Sequence, residues 1–326
     1  MTRLQHNMPL SLRIVLSSAA CCVLLTSCGS TAEPEGIGSN STITSEYSET
    51  ESSDVVYRDN TPKCLVPEAA GVTTYGDDIG MIDASNVNEG YVMVAYNGDN
   101  EKPKLQISGP KGVDYFFDLH GGYETFPLTE GSGTYSFTLY EHVGNGNYST
   151  LLEQSVDVSI GNEFLTYLYP NQYVNFDSDT KAVALGAELT EKCVTDLDAV
   201  SNIYNFVTST ITYDYDEAEN VTSDYLPDID EILDTKKGIC FDYAALMACM
   251  LRSQQIPTRL EVGYAGDVYH AWISTYIDDI GWVNGIIEFD GVDWKIMDPT
   301  LASTNGDKKI KDFVGDGSNY MTKFVY

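Results

Sequence analysis

The sequence predicts an α+β chain in two parts: an all-β sandwich, then a domain in which a buried helix packs on an antiparallel sheet. Three observations carry this prediction. Between Cys64 and Asn171, short β-branched or aromatic runs are separated by Gly, Asn and Asp turns. From Asp177 to Val207, and again after Cys240, apolar residues recur at helical spacing. From Val268 onward the pattern returns to strand-like alternation.

Taken in order, the chain of 326 residues is 43% hydrophobic and 11% aromatic, a composition that supports two modest cores. Its formal net charge of -31 argues against nucleic acid as a partner, because such binding depends on Lys and Arg neutralising phosphates. Cationic, amine-bearing and neutral partners remain open.

Residues 1–27 read as an address. Arg3 and Arg13 flank the start of an apolar run from Ile14 to Leu25, too short for a comfortable membrane span, which ends in Leu25-Thr26-Ser27-Cys28. That ending resembles a bacterial lipobox. The resemblance implies cleavage before Cys28, lipidation of Cys28, and tethering of the mature chain to the membrane at the cell surface. An ordinary secretory signal peptide is the alternative. Residues 28–63 are rich in Ser, Thr, Glu and Asp with almost no aliphatic clusters, so they are expected to form a flexible acidic stalk.

Residues 64–176 form the expected sandwich. Its strands are anticipated at Tyr91 to Tyr96, Lys104 to Ile107, Tyr115 to Leu119, Gly133 to Tyr140 and Leu152 to Ile160. The region is similar to the immunoglobulin-like modules found beside extracellular enzymes. Its composition suits a spacer and a carbohydrate- or protein-binding module equally. Residues 177–326 form the second domain, entered through a helical region in which Leu185, Leu189, Leu197, Val200, Ile203 and Phe206 supply apolar faces. The carboxylates Asp214, Asp216, Glu217, Glu219, Asp228, Asp230 and Glu231 read as solvated loop residues, because no ordered calcium loop with its Gly and terminal Glu is present. No metal site is expected.

Cys240 follows Gly238-Ile239 at the start of a run in which Ala244, Met247, Ala248 and Leu251 recur at helical spacing, with Leu246, Cys249 and Met250 on other faces. This predicts a helix buried nearly all round, with Cys240 in its first turn. Free backbone N–H groups and the positive end of the helix dipole favour a thiolate there. Ile256-Pro257 stops the helix. In Val268 to Ile277, His270, Trp272 and Ser274 share one face. Segments Gly281 to Phe289 and Val292 to Asp298 flank Asp290-Gly291, which suits a tight hairpin. Cys240, His270 and Asp298 therefore supply a thiol, an imidazole and a carboxylate, the groups that nucleophilic cysteine chemistry requires.

Of the seven cysteines, Cys21 and Cys22 leave with the signal and Cys28 takes lipid. Cys240 and Cys249 lie about 13 Å apart along one helix, too far to bond. Cys249 reads as a small core residue, and Cys64 with Cys193 is the candidate disulfide.

The ordered set Lys237-Gly238-Ile239-Cys240-Phe241-Asp242-Tyr243-Ala244, Met250-Leu251-Arg252, Ile256-Pro257-Thr258-Arg259, Gly263-Tyr264, His270-Ala271-Trp272 and Asp298-Pro299-Thr300 resembles the transglutaminase-like superfamily, over about the last two-fifths of the chain. The helix and short strand from Ala199 to Asp214 extend the resemblance upstream. It implies a papain-like core with Cys240 as nucleophile, His270 as general base and acid, and Asp298 orienting His270. Tyr213 and Trp272 are cleft or oxyanion candidates. The implied activity is acyl transfer through a thioester on peptide, protein or peptidoglycan-stem amides, with no cofactor. Hydrolysis is favoured over cross-linking because water is always present at the cell surface. The rival readings are an inactive surface binding module and, more remotely, a zinc site. One departure stands out: Gln255 occupies the position where the family usually ends this helix with Gly, so a left-handed conformation is at issue there.

Overall fold

The computed structural model describes residues 55–265, 268–278, 280–284, 287–289, 294–296 and 320–326. Cys28, the leader, most of the stalk and Asp298 lie outside the described residues.

Two four-stranded antiparallel sheets build the sandwich. The first has β1 (Thr74–Gly76), β2 (Gly80–Asp83), β3 (Tyr91–Tyr96) and β6 (Gly122–Pro127) in the order β1-β2-β3-β6. The second has β4 (Lys104–Ser108), β5 (Asp114–Asp118), β7 (Gly133–His142) and β8 (Tyr148–Val158) in the order β5-β4-β7-β8. Alternation sets the inner face: Leu105 and Ile107, Tyr115 and Phe117, and Tyr135, Phe137 and Leu139 are buried while their neighbours are more exposed. Phe117 meets Phe126 of the opposite sheet with ring centroids 4.8 Å apart. Strand β3 is buried at all six positions because its outer face is covered too, with Tyr91 and Met93 packed beneath Leu65, Ala69, Leu165 and Tyr169.

After the sandwich come α1 (Lys181–Thr190), α2 (Asp196–Thr210), β9 (Thr212–Tyr213), α3 (Tyr215–Asn220), α4 (Ile229–Thr235), β10 (Lys237–Gly238) and α5 (Cys240–Ser253). Thr195 starts α2 with a capping box: its side chain accepts from the Asp198 N–H, and the Asp198 carboxylate reaches back to the Thr195 N–H. Every residue of α5 from Asp242 to Ser253 is buried, as the all-round apolar pattern predicts. Helices α1, α2 and α4 flank it, and it also packs on β11 (Thr258–Ala265) and β12 (Val268–Ile277). These strands belong to an antiparallel sheet in the order β13-β12-β11-β16, with β13 at Gly281–Asn284 and β16 at Tyr320–Val325. The expected strand from Gly281 to Phe289 divides, its second part being β14 (Ile287–Phe289), which pairs with β15 (Trp294–Ile296).

Helix α5 ends in a Schellman turn. The Ile256 N–H donates to the Leu251 carbonyl and the Gln255 N–H to the Arg252 carbonyl, both at 3.0 Å. Gln255 takes the left-handed conformation (φ 61°) that Gly usually supplies, and its side-chain amide bonds the Lys63 carbonyl at 2.8 Å.

The two parts share one core. Tyr115 and Phe117 of β5 meet Phe324 and Tyr326 of the C-terminal segment with ring centroids 5.6 and 6.0 Å apart. Arg259 adds a second weld, its guanidinium lying 3.5 Å from the Trp282 ring centroid and 4.7 Å from that of Tyr167. Residues 55–63, expected within the stalk, are instead tied down. The Arg58 guanidinium bonds Asp196 at 3.0 Å and the Gln254 side-chain and main-chain oxygens at 3.0 and 2.8 Å.

The same strap corrects the disulfide expectation. Cys64, Cys193, Cys240 and Cys249 are all free thiols. The Arg58 N–H meets the Cys193 carbonyl, and the chain then runs on to pair Lys63 with Ser253, which carries Cys64 past Cys193 towards Cys249. No helix among the described residues is long and apolar enough to cross a membrane.

Arg252 is fully buried on α5. Its guanidinium donates to the main-chain oxygens of Thr258 (3.0 Å), Tyr169 (2.8 Å) and Tyr326 (2.9 Å). Burial alone pulls its pKa down, and the three oxygens hold the charge in place. Arg252→Met keeps most of the volume but takes the guanidinium from the Thr258 and Tyr169 oxygens and leaves the Tyr326 oxygen only the Leu260 N–H. It is expected to lower unfolding free energy by about 3–5 kcal/mol, read from the urea midpoint. A midpoint within error of wild type would show that the three oxygens find other donors.

Candidate active site

Cys240 reaches its position through β10. This strand pairs in parallel with β9, placing Gly238 beside Tyr213, and Ile239 then turns the chain into α5 from an extended conformation (φ -94°, ψ 178°). Cys240 is the first helical residue, so the N–H groups around it have no intrahelical partner. Asp242, in the same turn, is fully buried. One of its carboxylate oxygens accepts the Ile239 N–H and the other the Tyr225 hydroxyl, both at 2.7 Å. A Cβ on Gly238 would lie 2.6 Å from Asp242 Cβ, so this close approach requires glycine.

Three donors act on the thiol. The backbone N–H of Phe241, the backbone N–H of Ala271 and the Tyr213 hydroxyl each favour the charged form of the Cys240 thiol. Ala271 immediately follows His270 in β12, but alternation turns the His270 side chain, with Trp272 and Ser274, to the sheet face opposite the one on which Ala271 and Ile273 join the core shared with α5. The Tyr213 hydroxyl also approaches the Cys240 backbone N–H. Burial nevertheless pushes the thiol up to about 11, the charge of Asp242 pushes the same way, and the donors oppose without prevailing.

His270 is 8% exposed, and its Nε2 has no hydrogen-bond partner among the described residues. Burial pulls its pKa down to about 4. In these surroundings thiol and imidazole both favour their neutral forms. Asp298, the expected orienting carboxylate, lies outside the described residues. Trp272 is buried, and its indole N–H donates to Glu261 at 3.2 Å rather than facing a cleft. Tyr264 and Tyr269 pack edge to face at 5.4 Å on the α5 side of the sheet, and Tyr213 and Tyr215 do so at 5.0 Å.

A cavity of about 480 Å³ opens beside the turn, lined in part by Asp214, Asp216, Glu217, Tyr225, Asp228, Glu231 and Asp242. The sequence reading treats most of these acids as solvated, but several are helix caps. Asp214 accepts the Glu217 N–H of α3, and Asp228 accepts the Asp230 and Glu231 N–H groups of α4. Among the described residues no group of His, Cys, Asp and Glu is arranged to hold a metal ion. Sequence reasoning missed the roles of Asp242, Tyr225 and Glu261. For Asp242 a signal existed, since a carboxylate two residues after Cys240 falls in the first helical turn, where it can reach back to a free N–H.

Residues 183–285 match the family model of the transglutaminase-like superfamily. Uncharacterized protein YebA of Bacillus subtilis is 25% identical over 228 residues, covering 59% of this chain and 28% of that protein. UPF0252 protein MJ1282 of Methanocaldococcus jannaschii is 32% identical over 96 residues, covering 26% and 27%. The chain thus spans little more than a quarter of either relative's length. Among solved structures, the periplasmic domain of TgpA from Pseudomonas aeruginosa aligns with a TM-score of 0.31 and 14% identity over 74% of this chain and 99% of that one. Red sea bream transglutaminase aligns with a TM-score of 0.27 and 12% identity over 59% and 47%.

Burial raises the Asp242 carboxyl to about 6, against an ordinary 3.8. Between those values the folded state holds a proton that the unfolded state has lost, so stability falls as pH rises through this window and stays low above it. Asp242→Asn has no such titration and can still accept the Ile239 N–H. It is expected to be more stable than wild type by about 1–3 kcal/mol at pH 8, with the two converging near pH 4. The thiol should also ionise at lower pH. Urea unfolding at both pH values checks this, and parallel pH slopes would assign the titration to another group.

Proposed function

Because residues 183–285 match the family model of the transglutaminase-like superfamily, we propose that the protein is a cysteine acyl-transfer enzyme in which Cys240 is the nucleophile, His270 the general base and acid, and Asp298 the residue that orients His270. The observation that carries this reading is the place of Cys240 as the first residue of α5, where the Phe241 and Ala271 N–H groups and the Tyr213 hydroxyl each favour its thiolate. Donors around a first-turn sulfur suit a thiolate.

The neutral resting pair sets the order of events. His270 takes the thiol proton as Cys240 attacks the carbonyl of a peptide or side-chain amide, so charge forms in step with bond formation. The oxyanion of the tetrahedral intermediate is received by the Cys240 N–H and the Tyr213 hydroxyl, which already lie together. His270 returns its proton to the departing amine, the C–N bond breaks, and a thioester remains. A water molecule, deprotonated by His270, attacks the thioester; the products are a carboxylate and the restored thiol. A negative charge from Asp298 beside the imidazole would raise its basicity against the effect of burial.

Hydrolysis of peptide or peptidoglycan-stem amides is the favoured outcome, with transfer to an amine as the alternative. In this reading the enzyme works outside the cytoplasm, held to the membrane through lipid on Cys28, with the sandwich as a spacer or binding module.

Brief treatment with limiting iodoacetamide near neutral pH is expected to give one rapid adduct by intact mass. The adduct should vanish in Cys240→Ala and form at least about tenfold more slowly in His270→Ala and Asp298→Asn. Labelling no faster than a free thiol would sink the enzyme reading. Expressed from its leader in a bacterium, the chain should fractionate with membranes and be released to the soluble fraction by Cys28→Ala. Equal partitioning of the two forms would remove the lipid anchor.

A further inference from the structure

Glu261 has no part in the chemistry above, yet its carboxylate is buried on the same sheet face as His270. In the β11–β12 ladder His270 stands opposite Gly263 and Trp272 opposite Glu261, so all four positions share that face. Gly263 gives the imidazole no lateral support. A Cβ there would lie 2.0 Å from the Met321 main-chain oxygen, at the bulge where β11 meets β16. The neighbour along β12 is Trp272, whose ring lies 25° from the imidazole plane with centroids 6.3 Å apart.

Trp272 is itself fixed from the other side. Its Nε1–H donates to Glu261 Oε2 at 3.2 Å, and the Thr322 hydroxyl of β16 donates to the same oxygen at 2.8 Å. The Ser274 hydroxyl donates to Oε1 at 2.6 Å. The carboxylate thus ties β12 to β16 behind the indole. Both oxygens accept here, and glutamine would set an NH2 group against the donors on one of them, so a carboxylate is what serves all three donors. A carboxylate bound to the indole N–H enriches the ring in electron density, which suits an imidazole that becomes cationic beside it.

We propose that Glu261 is a positioning residue for the Cys240–His270 reaction: it clamps the Trp272 indole, and the indole sets the tilt of the His270 ring during proton transfer. The inference rests on the reading of His270 as the general base. The test is iodoacetamide labelling of Cys240 in the whole chain, together with NMR of the ¹⁵N-labelled His270 ring. Glu261→Gln and Trp272→Phe should each slow labelling by about tenfold and shift the His270 ring signals. The double variant should be no slower than the slower single, because both break one linkage. Trp272→Phe keeps an aromatic ring but removes the N–H with the rest of the pyrrole ring, so it breaks the bond to Glu261 from the other side and carries the test should Glu261→Gln fold poorly.

Wild-type labelling rates and unmoved ring signals in either variant, or losses that multiply in the double variant, overturn the proposal while leaving the enzyme reading intact. A wild-type Cys240 that labels no faster than a free thiol, with or without His270, overturns both.

Discussion

The structure depends on one buried cation. Arg252 lies in the last turn of the helix that begins with Cys240, and its three bonds reach the start of β11, the segment following the sandwich and the C-terminal residue of the described chain. These segments are 6, 83 and 74 residues away in sequence. A guanidinium presents donors in a fixed planar fork, so it constrains direction as well as distance. With its C-terminal end held in this way, α5 brings its N-terminal turn to the face of β12 that carries Ala271. The sandwich, joined through Tyr115, Phe117, Phe324 and Tyr326, is part of that frame rather than a separate bead.

Burial fixes the site geometry and also works against the charged states needed for chemistry. It raises the thiol to about 11 and lowers the imidazole to about 4, so the ion pair is disfavoured in both halves. Donors on the sulfur offset part of this, and Asp242 opposes them, being too near to be indifferent and too well satisfied by Ile239 and Tyr225 to move. Such opposition is common at reactive sites, where local stability yields to placement.

What was legible in the sequence follows the range of the interactions. The alternation that puts His270, Trp272 and Ser274 on one face, the all-round apolar pattern of α5 and the Ile256-Pro257 stop are local signals, and the structure has each of them. Strand β16 was not legible. It pairs with β11 from about 60 residues downstream, and its short run Tyr320–Val325 has no pattern that names its partner. Residues 55–63 were read as stalk because their composition is polar. Composition cannot show that Arg58 finds Asp196 and Gln254 nearly 140 and 200 residues away. The Cys64 to Cys193 pairing failed for the same reason: counting thiols says nothing of the strap that carries one past the other. For the candidate site, residue types and order pointed to Cys240 and His270, whereas Glu261 has no local signature.

The acidic cavity beside Cys240 shows how composition misleads at closer range. Its carboxylates resemble a cation site in sequence, but Asp214, Asp228 and Asp242 each accept backbone N–H groups at the start of α3, α4 and α5. The N-terminal caps of α3 and α4 thus line one cavity with Asp242 of the first turn of α5. Left uncapped, these helix ends would expose unsatisfied donors to the cavity. Capped by carboxylates, their dipoles are largely offset, and at α5 the capping charge works against the thiolate. The donors left to act on the sulfur are then those of Phe241, Ala271 and Tyr213. What favours the thiolate in this fold is those nearby donors, against burial and the Asp242 charge.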